Sequence, residues 1–537
     1  MKALGFRQAN AWLHTWVGLL LGWLLYAIFL TGTLSFFQDE ISFWMQPEQH
    51  ASMAQPDTAV RVIEQMQTLA PNAAVWNINL PSERNSAVRV QWFEQGERQG
   101  KGGGQRRVLD ATSAEPINVR ETRGGGFLYR FHFELYGMPR IVARWIVGIA
   151  TLVMLVAIVS GVITHKKIFK DFFTFRPRKG QRSWLDAHNV TAVLALPFHL
   201  MITYSGLLLL MFMLMPWGIE SAYRGDAQAF FAESGGRGGG GRNAGSEAAP
   251  GSDVQVAPLT DLRPLLEIAE QHWPRGTGSV QVSQPGTADA VIELREHGGD
   301  SLIDRGSSER LRFNGVTGEQ LNGPVSAPIS GANATYNVLT SLHLLRFAGA
   351  PLRWAFFVSG LLGTAMIVTG MVLWVNKRLP ERQKLGRTPF GHRLVETLNV
   401  ATLAGLPLAI AAYFWANRLL PAALNGRVEW EIRCFFAIWL VSLLHALSRP
   451  HRRAWVEQLG ANAVLFAALP LFALLLPNSH VLNTLGRGQW LVAGVDLTLW
   501  AFAAVFAGAA WKVATHRPTV RAPRRSVACT DVKELAA

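Results

Sequence analysis

The sequence is poor in cysteine and in charge, and both shortages narrow the classes of protein to consider. Only two of the 537 residues are cysteines, Cys434 and Cys529, so no disulfide framework, zinc knuckle or iron–sulfur cluster can form. The Cys-x-x-Cys-His motif is missing, which excludes ordinary covalent c-type haem. The signature motifs of serine hydrolases, zinc proteases, P-loop proteins and dinucleotide-binding enzymes are missing as well.

Charged residues account for 16% of the chain and hydrophobic residues for 49%, and the charges are unevenly spread. Long apolar stretches cover 12–37, 145–164, 190–219, 354–376, 397–417, 434–448, 459–481 and 490–511. Most reach the roughly 20 residues that a helix needs to cross a bilayer. The sixth stretch has only 15 residues and could instead be a buried half-helix, but it is counted because the alternation of basic loops requires it. The eighth stretch contains Asp496 in its middle. About eight transmembrane helices are therefore predicted.

The formal charge of +14 comes from basic residues that cluster in short loops at the ends of these stretches. Such clusters mark the cytoplasmic side of a membrane protein and do not indicate binding to nucleic acid. We expect the loops at 165–182 and 377–387 to be cytoplasmic, together with both termini. The first apolar stretch lacks a cleavage site, so it is expected to remain as an anchor.

Two long polar connections separate the first four stretches. Helical spacing at 58–69 and 259–269, and strand-like alternation at 87–93 and 290–294, predict two small α+β modules. The predicted fold is an all-α polytopic membrane protein carrying these two modules. The predicted divisions are helix 1 (1–40), module 1 (41–140), helices 2 and 3 with a basic loop (141–219), module 2 (220–350), helix 4 (351–380), four C-terminal helices (396–514) and a tail (515–537).

Glycine runs interrupt the modules at 100–104, 124–126 and 235–241. A phosphate-binding loop would need a preceding strand and a following Gly-Lys-Ser/Thr, and neither is present. We interpret the three runs as flexible linkers.

An internal repeat is the most informative pattern. His14 precedes Thr31-Gly32 and His188 precedes Ser205-Gly206, with 18 residues from His to Gly in both cases. The second and fourth stretches share a further series. It consists of His132, Pro139, Arg144-Trp145 and Ser160-Gly161 in the first copy, and His343, Pro351, Arg353-Trp354 and Thr369-Gly370 in the second. The unit of helix, module and helix is therefore predicted to be duplicated. The Ser/Thr-Gly pairs of small residues are predicted only to allow close packing of the helices.

The repeated histidines predict two metal sites. With alternating helix directions, His14 and His188 fall at the cytoplasmic edge, and His132 and His343 fall at the outer edge. Two imidazoles from facing helices are typical axial ligands of haem iron and leave no open position, which favours electron transfer. We therefore predict two b haems, one for each pair. The alternative for any single histidine is an ordinary interfacial polar residue.

His165 and His199 are second-rank candidate ligands. His165 ends the second apolar stretch, and His199 follows His188 by 11 residues, which places both on one face of a helix. His199 could be a ligand, a proton-relay group or a hydrogen-bonded core residue, and the sequence leaves these three roles open.

Residues 168–207, IFKDFFTFRPRKGQRSWLDAHNVTAVLALPFHLMITYSGL, together with the histidine and Ser/Thr-Gly repeats, resemble the PepSY-associated transmembrane helix family of bacterial inner-membrane proteins. The resemblance covers about residues 1 to 380. It implies PepSY-like periplasmic modules and a haem-containing reductase that releases iron from siderophores. The electron donor would be a cytoplasmic partner or membrane quinol.

Two other functions remain as alternatives at this stage. One is a non-catalytic scaffold whose modules bind peptides or a protease. The other is a proton-coupled transporter that uses His199 and Asp496. The four C-terminal helices extend beyond the resemblance, and packing support, a quinol pocket or a donor-docking surface would each account for them.

Overall fold

A computed structural model describes residues 5–516, apart from residues 98–102, 166–167, 169–171, 173, 178, 227, 231–254, 299–300, 304–308, 323–329 and 476–480. Seven helices in the described part are long and apolar enough to cross a membrane, and one bent pair makes an eighth candidate. The seven are Phe6–Ser35, Arg140–Thr164, Ala350–Leu385, Phe390–Leu419, Arg427–Ser448, His451–Leu475 and Trp490–Thr515. The predicted polytopic helical fold is confirmed.

The duplicated unit follows one order of elements in both halves. The first half contains α1 (Phe6–Ser35), α2 (Gln38–Trp44), α3 (Thr58–Leu69), β1 (Val75–Asn79), β2 (Val88–Phe93), β3 (Gln105–Leu109), β4 (Pro116–Ile117), α4 (Gly125–Glu134) and α5 (Arg140–Thr164). The second contains α6 (Gln181–Leu194), α7 (Leu196–Leu209), α8 (Met211–Leu214), α9 (Trp217–Tyr223), α10 (Leu262–His272), β5 (Thr277–Ser283), β6 (Val291–Glu296), β7 (Arg310–Asn314), β8 (Gln320–Asn322), α11 (Gly331–Leu344) and α12 (Ala350–Leu385). The predicted succession of a helix and then strands is present in both modules.

The third span is bent. Helices α6 and α7 meet at Ala195 with an angle of 66° between them. Pro197, in the first turn of α7, has no backbone N–H to continue the hydrogen bonds of α6, so a break is expected at this point. The apolar stretch at 190–219 predicted a single helix, but the described helix begins earlier, at Gln181, and changes direction.

The strands of the two modules form one sheet. Its eight strands run in the order β4-β3-β2-β1-β5-β6-β7-β8, and β1 pairs with β5 in an antiparallel register that places Asn77 opposite Gln281. The modules are thus related by a two-fold axis through the β1–β5 pair. Buried side chains from one sheet face and from α3 and α10 form a shared core that includes Met66, Trp76 and Phe313. The sequence predicted two modules but not their fusion into one sheet.

Four further membrane-length helices follow the duplicated unit. The described elements are α13 (Phe390–Asn399), a π-helical turn (Val400–Ala404), α14 (Gly405–Leu419), α15 (Arg427–Ser448), α16 (His451–Phe472), α17 (Val481–Gly486) and α18 (Trp490–Thr515). The short sixth stretch is part of α15, which has 22 residues and meets the length of a span. The basic tail after residue 516 lies outside the described residues.

The π-helical turn frees backbone carbonyls for contacts with other helices. The Leu403 carbonyl accepts from the Tyr26 hydroxyl at 2.9 Å, and the Ala401 carbonyl accepts from the Trp439 indole at 3.0 Å. The turn therefore joins α1 of the duplicated unit to the C-terminal helices.

The linker interpretation is wrong for the glycines at 124–126. Gly125 begins α4 and lies so close to α2 that an added Cβ would be 2.6 Å from the Gln38 Cα atom. Close packing of two helices, not flexibility, explains the glycine. The run at 235–241, and most of that at 100–104, lies outside the described residues.

Candidate functional site

The pair at the end of the bundle that carries the basic loops consists of His14 on α1 and His188 on α6. We call this end the loop side and the opposite end the sheet side. The His14 Nδ1 atom lies 2.9 Å from the Ala157 carbonyl, and the His188 Nδ1 atom lies 2.9 Å from the Met366 carbonyl. Because a carbonyl can only accept, each Nδ1 carries the proton. The two ring centroids are 6.2 Å apart.

The sheet-side pair consists of His132 on α4 and His343 on α11. The His132 Nδ1 atom lies 2.7 Å from the Ile28 carbonyl, and the His343 Nδ1 atom lies 3.1 Å from the Ser205 hydroxyl oxygen. These ring centroids are 6.0 Å apart. Both pairs unite residues from the two halves of the repeat.

Each imidazole lies against the glycine of a Ser/Thr-Gly pair on a neighbouring helix. A Cβ atom added to Gly32 would lie 2.6 Å from His132, and one added to Gly206 would lie 3.2 Å from His343. The corresponding distances are 3.1 Å from Gly161 to His14 and 3.1 Å from Gly370 to His188. The small pairs therefore make room for the four rings, a role that the sequence analysis did not assign to them. The signal was present in the repeat, which contains one such glycine for every histidine.

The carbonyl acceptors fix the tautomer of three of the four imidazoles. The Ser205 hydroxyl donates to the Met201 carbonyl at 2.6 Å, so it accepts from Nδ1 of His343. With Nδ1 protonated and bonded to main-chain or hydroxyl oxygen, the lone pair is on Nε2, as in histidine ligands of metalloproteins. Within the described residues none of the four Nε2 atoms has a hydrogen-bond partner, and all four rings are half-buried. The Nε2 atoms are therefore free to bind a metal ion.

The spacing of the rings fits one metal ion between the members of each pair. Two imidazoles bound through Nε2 at a metal–nitrogen distance of roughly 2 Å have ring centroids ~6.3 Å apart. The observed values are 6.2 Å and 6.0 Å. Where the structure is described, no group of three or more His, Cys, Asp or Glu side chains is arranged to hold a metal ion.

The two pairs are stacked along the bundle. On α5, Gly161 contacts His14, while Thr151 contacts Gly206 beneath His343. At 1.5 Å per residue, the two layers are roughly 15 Å apart along this helix. Helices α1, α5, α6–α7 and α12 form one four-helix unit. The loop-side pair is carried by two of these helices, whereas α4 and α11 hold the sheet-side rings against glycines of α1 and α7.

Burial favours the neutral form of the sheet-side histidines. It lowers the pKa of His132 and lowers the pKa of His343 to about 3, with a further contribution from the neighbouring His132. A neutral ring is the form that binds a metal ion.

The second-rank histidines belong to neither pair. His165 is next to the loop-side pair, and its Nε2 atom lies 2.7 Å from the Asn189 amide nitrogen. His199 is fully buried, and neither ring nitrogen has a hydrogen-bond partner in the described part of the chain. Its ring is 6.2 Å from that of Phe29, and the Cβ of an alanine at Gly363 would be 3.0 Å from its Nε2 atom. These contacts do not support the role of a hydrogen-bonded core residue, and the roles of ligand and proton-relay group stay predictions.

Two arginines at matching positions of the repeat lie near the sheet-side pair. Arg144 donates to Glu134 at 2.5 Å, and Arg353 is hydrogen-bonded to Glu40. Both guanidinium groups are thus held by carboxylates of the protein.

The fold and the site define a multi-pass membrane protein with a duplicated unit that holds two stacked pairs of histidines. The model of the PepSY-associated TM region family matches residues 11–377, which include all four of these histidines. The chain belongs to this family. No curated protein matches the chain at a significant level. The family match ends before the four C-terminal helices.

Proposed function

We propose that the protein is a di-haem b oxidoreductase of the bacterial inner membrane that reduces ferric siderophores or related ferric chelates on the sheet side during iron uptake. The loop side would be cytoplasmic and the sheet side periplasmic, as the basic loops indicate. Haem held by each pair of histidines would supply one-electron transfer.

One observation carries this proposal: two pairs of imidazoles, each with Nδ1 bonded to the protein and Nε2 free, have the separation that a shared metal ion requires. Interfacial histidines without a ligand role have no reason to share this arrangement at four places. Two protein ligands on one iron leave no position for oxygen, which favours electron transfer. The stacking of the pairs would give electrons a path across the membrane.

The face of the sheet that is turned away from α3 and α10, here called the open face, supports the proposal that the substrate is an anion. It carries five arginines among polar and apolar side chains: Arg89, Arg106, Arg295, Arg310 and Arg312. Glu293 pairs with Arg295 at 2.7 Å and is the acidic side chain among them. Burial lowers the pKa of Arg89, and the nearby carboxylate of Asp39 on α2 only partly opposes this lowering, so this part of the face is near the sheet-side end of the bundle. Siderophores bind iron through oxygen atoms, and reduction weakens their hold because such ligands favour the harder ferric ion.

The test is the visible spectrum and haem content of protein purified from haem-replete cells. We expect two b haems per chain. His132→Ala and His343→Ala should each remove the same haem signal, whereas His14→Ala and His188→Ala should remove the other. His272→Ala, an exposed histidine of α10, is the matched control and should retain both.

Protein without haem would exclude the reductase and leave the scaffold and the transporter as the remaining functions. Loss of different signals from the two members of a pair would contradict the assigned ligands. If two haems are present, reduction of a ferric chelate by the reduced protein, followed with a ferrous-specific chelator, tests the activity itself.

A further inference from the structure

Helix α4, which carries His132, is covered on one side by the C-terminal helices. Phe127 and Phe131 lie on this side and are buried. Their rings pack against four aromatic rings of α14 and α15, with centroids 5.0–6.2 Å apart: Tyr413, Phe435, Phe436 and Trp439. Aromatic pairs at such distances stabilise a contact beyond the effect of their buried area. This side of α4 is therefore firmly attached to the C-terminal helices.

Hydrogen bonds attach the segment that leads into α4 to the same helices. The Tyr413 hydroxyl donates to the Gly124 carbonyl at 3.0 Å, at the position where α4 begins. The Thr122 hydroxyl donates at 2.6 Å to Glu431, which is fully buried and is also bonded to Arg427. Arg427 in turn donates at 2.7 Å to the carbonyl of the residue before Thr122. Hydrogen bonds to charged groups are stronger than those between neutral groups, so this segment is held in place.

The second copy of the repeat differs at the positions that make the aromatic contacts. Val338 and Leu342 of α11 occupy the positions of Phe127 and Phe131, five and one residues before the paired histidine. Both are only partly buried, and side chains of α11 donate to main-chain carbonyls at 302–303. The copy that contacts the C-terminal helices thus has aromatic residues, and the other copy has smaller aliphatic ones. This difference indicates that the contact is specific to α4.

These contacts determine where the His132 ring can lie. His132 follows Phe131 directly and is eight residues after Gly124, which is roughly 12 Å along the helix. Its Nδ1 atom donates to the Ile28 carbonyl of α1 at 2.7 Å. Helix α1 therefore orients the ring, whereas the C-terminal helices hold the backbone from which the ring extends.

We propose that the four C-terminal helices clamp α4 and so position His132 as a ligand of the sheet-side haem. The inference rests on the proposed function, because the ligand role of His132 belongs to it. Tyr413 and Glu431 are positioning residues, since they bond to the segment before α4. A ligand that is already held in place binds more tightly, because less conformational freedom is lost when its bond to iron forms. The clamping helices lie outside the part of the chain that matches the family.

The experiment follows the transfer of haem from the purified full-length protein to excess apomyoglobin. Tyr413→Phe removes the bond to the Gly124 carbonyl but keeps the ring beside Phe127. We expect the sheet-side haem, whose signal is missing in His132→Ala, to leave about fivefold faster than in the wild type, because one buried hydrogen bond is lost. The loop-side haem should leave at the wild-type rate.

Two further variants complete the experiment. Phe131→Leu gives the first copy the residue of the second, and the sheet-side haem should again leave faster. Trp415→Phe is the matched control, because it removes an indole bond to the Leu465 carbonyl within the C-terminal helices, and both rates should stay unchanged. In ferric Tyr413→Phe, the EPR signal of the sheet-side haem should broaden, since a less firmly held imidazole adopts a wider range of orientations.

Faster loss of both haems from Tyr413→Phe and Phe131→Leu would identify general packing support and overturn the clamp. Unchanged loss of the sheet-side haem from both variants would overturn it as well. Protein without haem would refute the proposed reductase together with the ligand role of His132. Protein with two haems that leave every variant at the wild-type rate would refute only the clamp.

Discussion

The four paired imidazoles are positioned by the neighbouring helix as much as by their own. His132 bonds the carbonyl of Ile28, one turn before Gly32, and its ring occupies the space where a side chain would otherwise lie. His14 has the same relation to Ala157 and Gly161. A histidine and its glycine on different helices therefore act as one unit.

Substitution of this glycine should displace the ring without removing it. In Gly32→Ala the added Cβ would lie 2.6 Å from the His132 ring, so the ring must move and lose its bond to Ile28. We expect the haem content to fall from two to one per chain, measured from the absorbance of the pyridine complex. Gly18→Ala on the same helix is the control, because a Cβ there meets no atom within 4 Å. Full haem content in Gly32→Ala would show that the glycine does not position the ligand.

The four paired histidines could be predicted from the sequence, but the residues that contact their rings could not. The repeat linked His14 to Gly32 along one helix, whereas His14 lies against Gly161 of another. Spacing along a chain records that both residues recur, but not which helices face each other. The glycines were for this reason interpreted only as packing residues.

At the scale of elements, the short helix α2 connects three parts of the molecule. Glu40 accepts from Arg84 of the sheet domain at 2.9 Å and is also bonded to Arg353 at the start of α12. The Trp44 indole donates to Asp496 of α18 at 2.8 Å, and the Arg418 guanidinium lies 4.1 Å from the centre of the Trp44 ring. The sequence suggested Asp496 as a proton-transport group. In the structure its carboxylate accepts a hydrogen bond from the Trp44 indole.

Glu40→Gln should destabilise this junction. Glu40 and Arg353 are both buried, and Glu40 raises the pKa of Arg84 against the lowering effect of its burial. Removal of the carboxylate leaves buried positive charge without its counter-ion, which typically costs about 3–5 kcal/mol. We expect a clearly lower thermal melting temperature in detergent. Glu64→Gln, on the exposed face of α3, should melt like the wild type, and an unchanged melting temperature for Glu40→Gln would contradict this role.

Helix lengths could be predicted from composition, but the bend in the third span could not. Apolar side chains continue on both sides of Ala195, so hydropathy is the same whether the helix is straight or broken. Pro197 was a local signal for the break. The hydrogen-bond partners of Glu40 could not be predicted either, because Arg84 and Arg353 are distant from it in the sequence.

At the scale of the whole molecule, the β1–β5 pair joins the two halves of the repeat. The hydrogen bonds of Leu80 to Gly278 and of Gln284 to Ala74 place Asn77 and Gln281 in a non-hydrogen-bonded pair. Side chains in such pairs are close together. Alternation in the sequence shows which residues of a strand share a face, but it does not show which strands pair at their edges. The pairing of β1 with β5 could therefore not be predicted.

A disulfide can test this connection. In the variant Asn77→Cys/Gln281→Cys, oxidation of the purified protein should form a bridge between the modules, detected by peptide mapping without reduction. The control, Asn77→Cys/Ser283→Cys, shifts one cysteine by two residues along the same face and beyond bridging distance. Equal bridging of both variants, or none in the first, would contradict the continuous sheet.

The shared sheet also affects how the chain is made. Strand β1 is synthesised well before β5, and until then its edge presents unpaired N–H and C=O groups. During that interval the β5 strand of another copy is an equally good partner. Rapid overproduction should therefore yield strand-exchanged dimers, and slow synthesis should yield monomers.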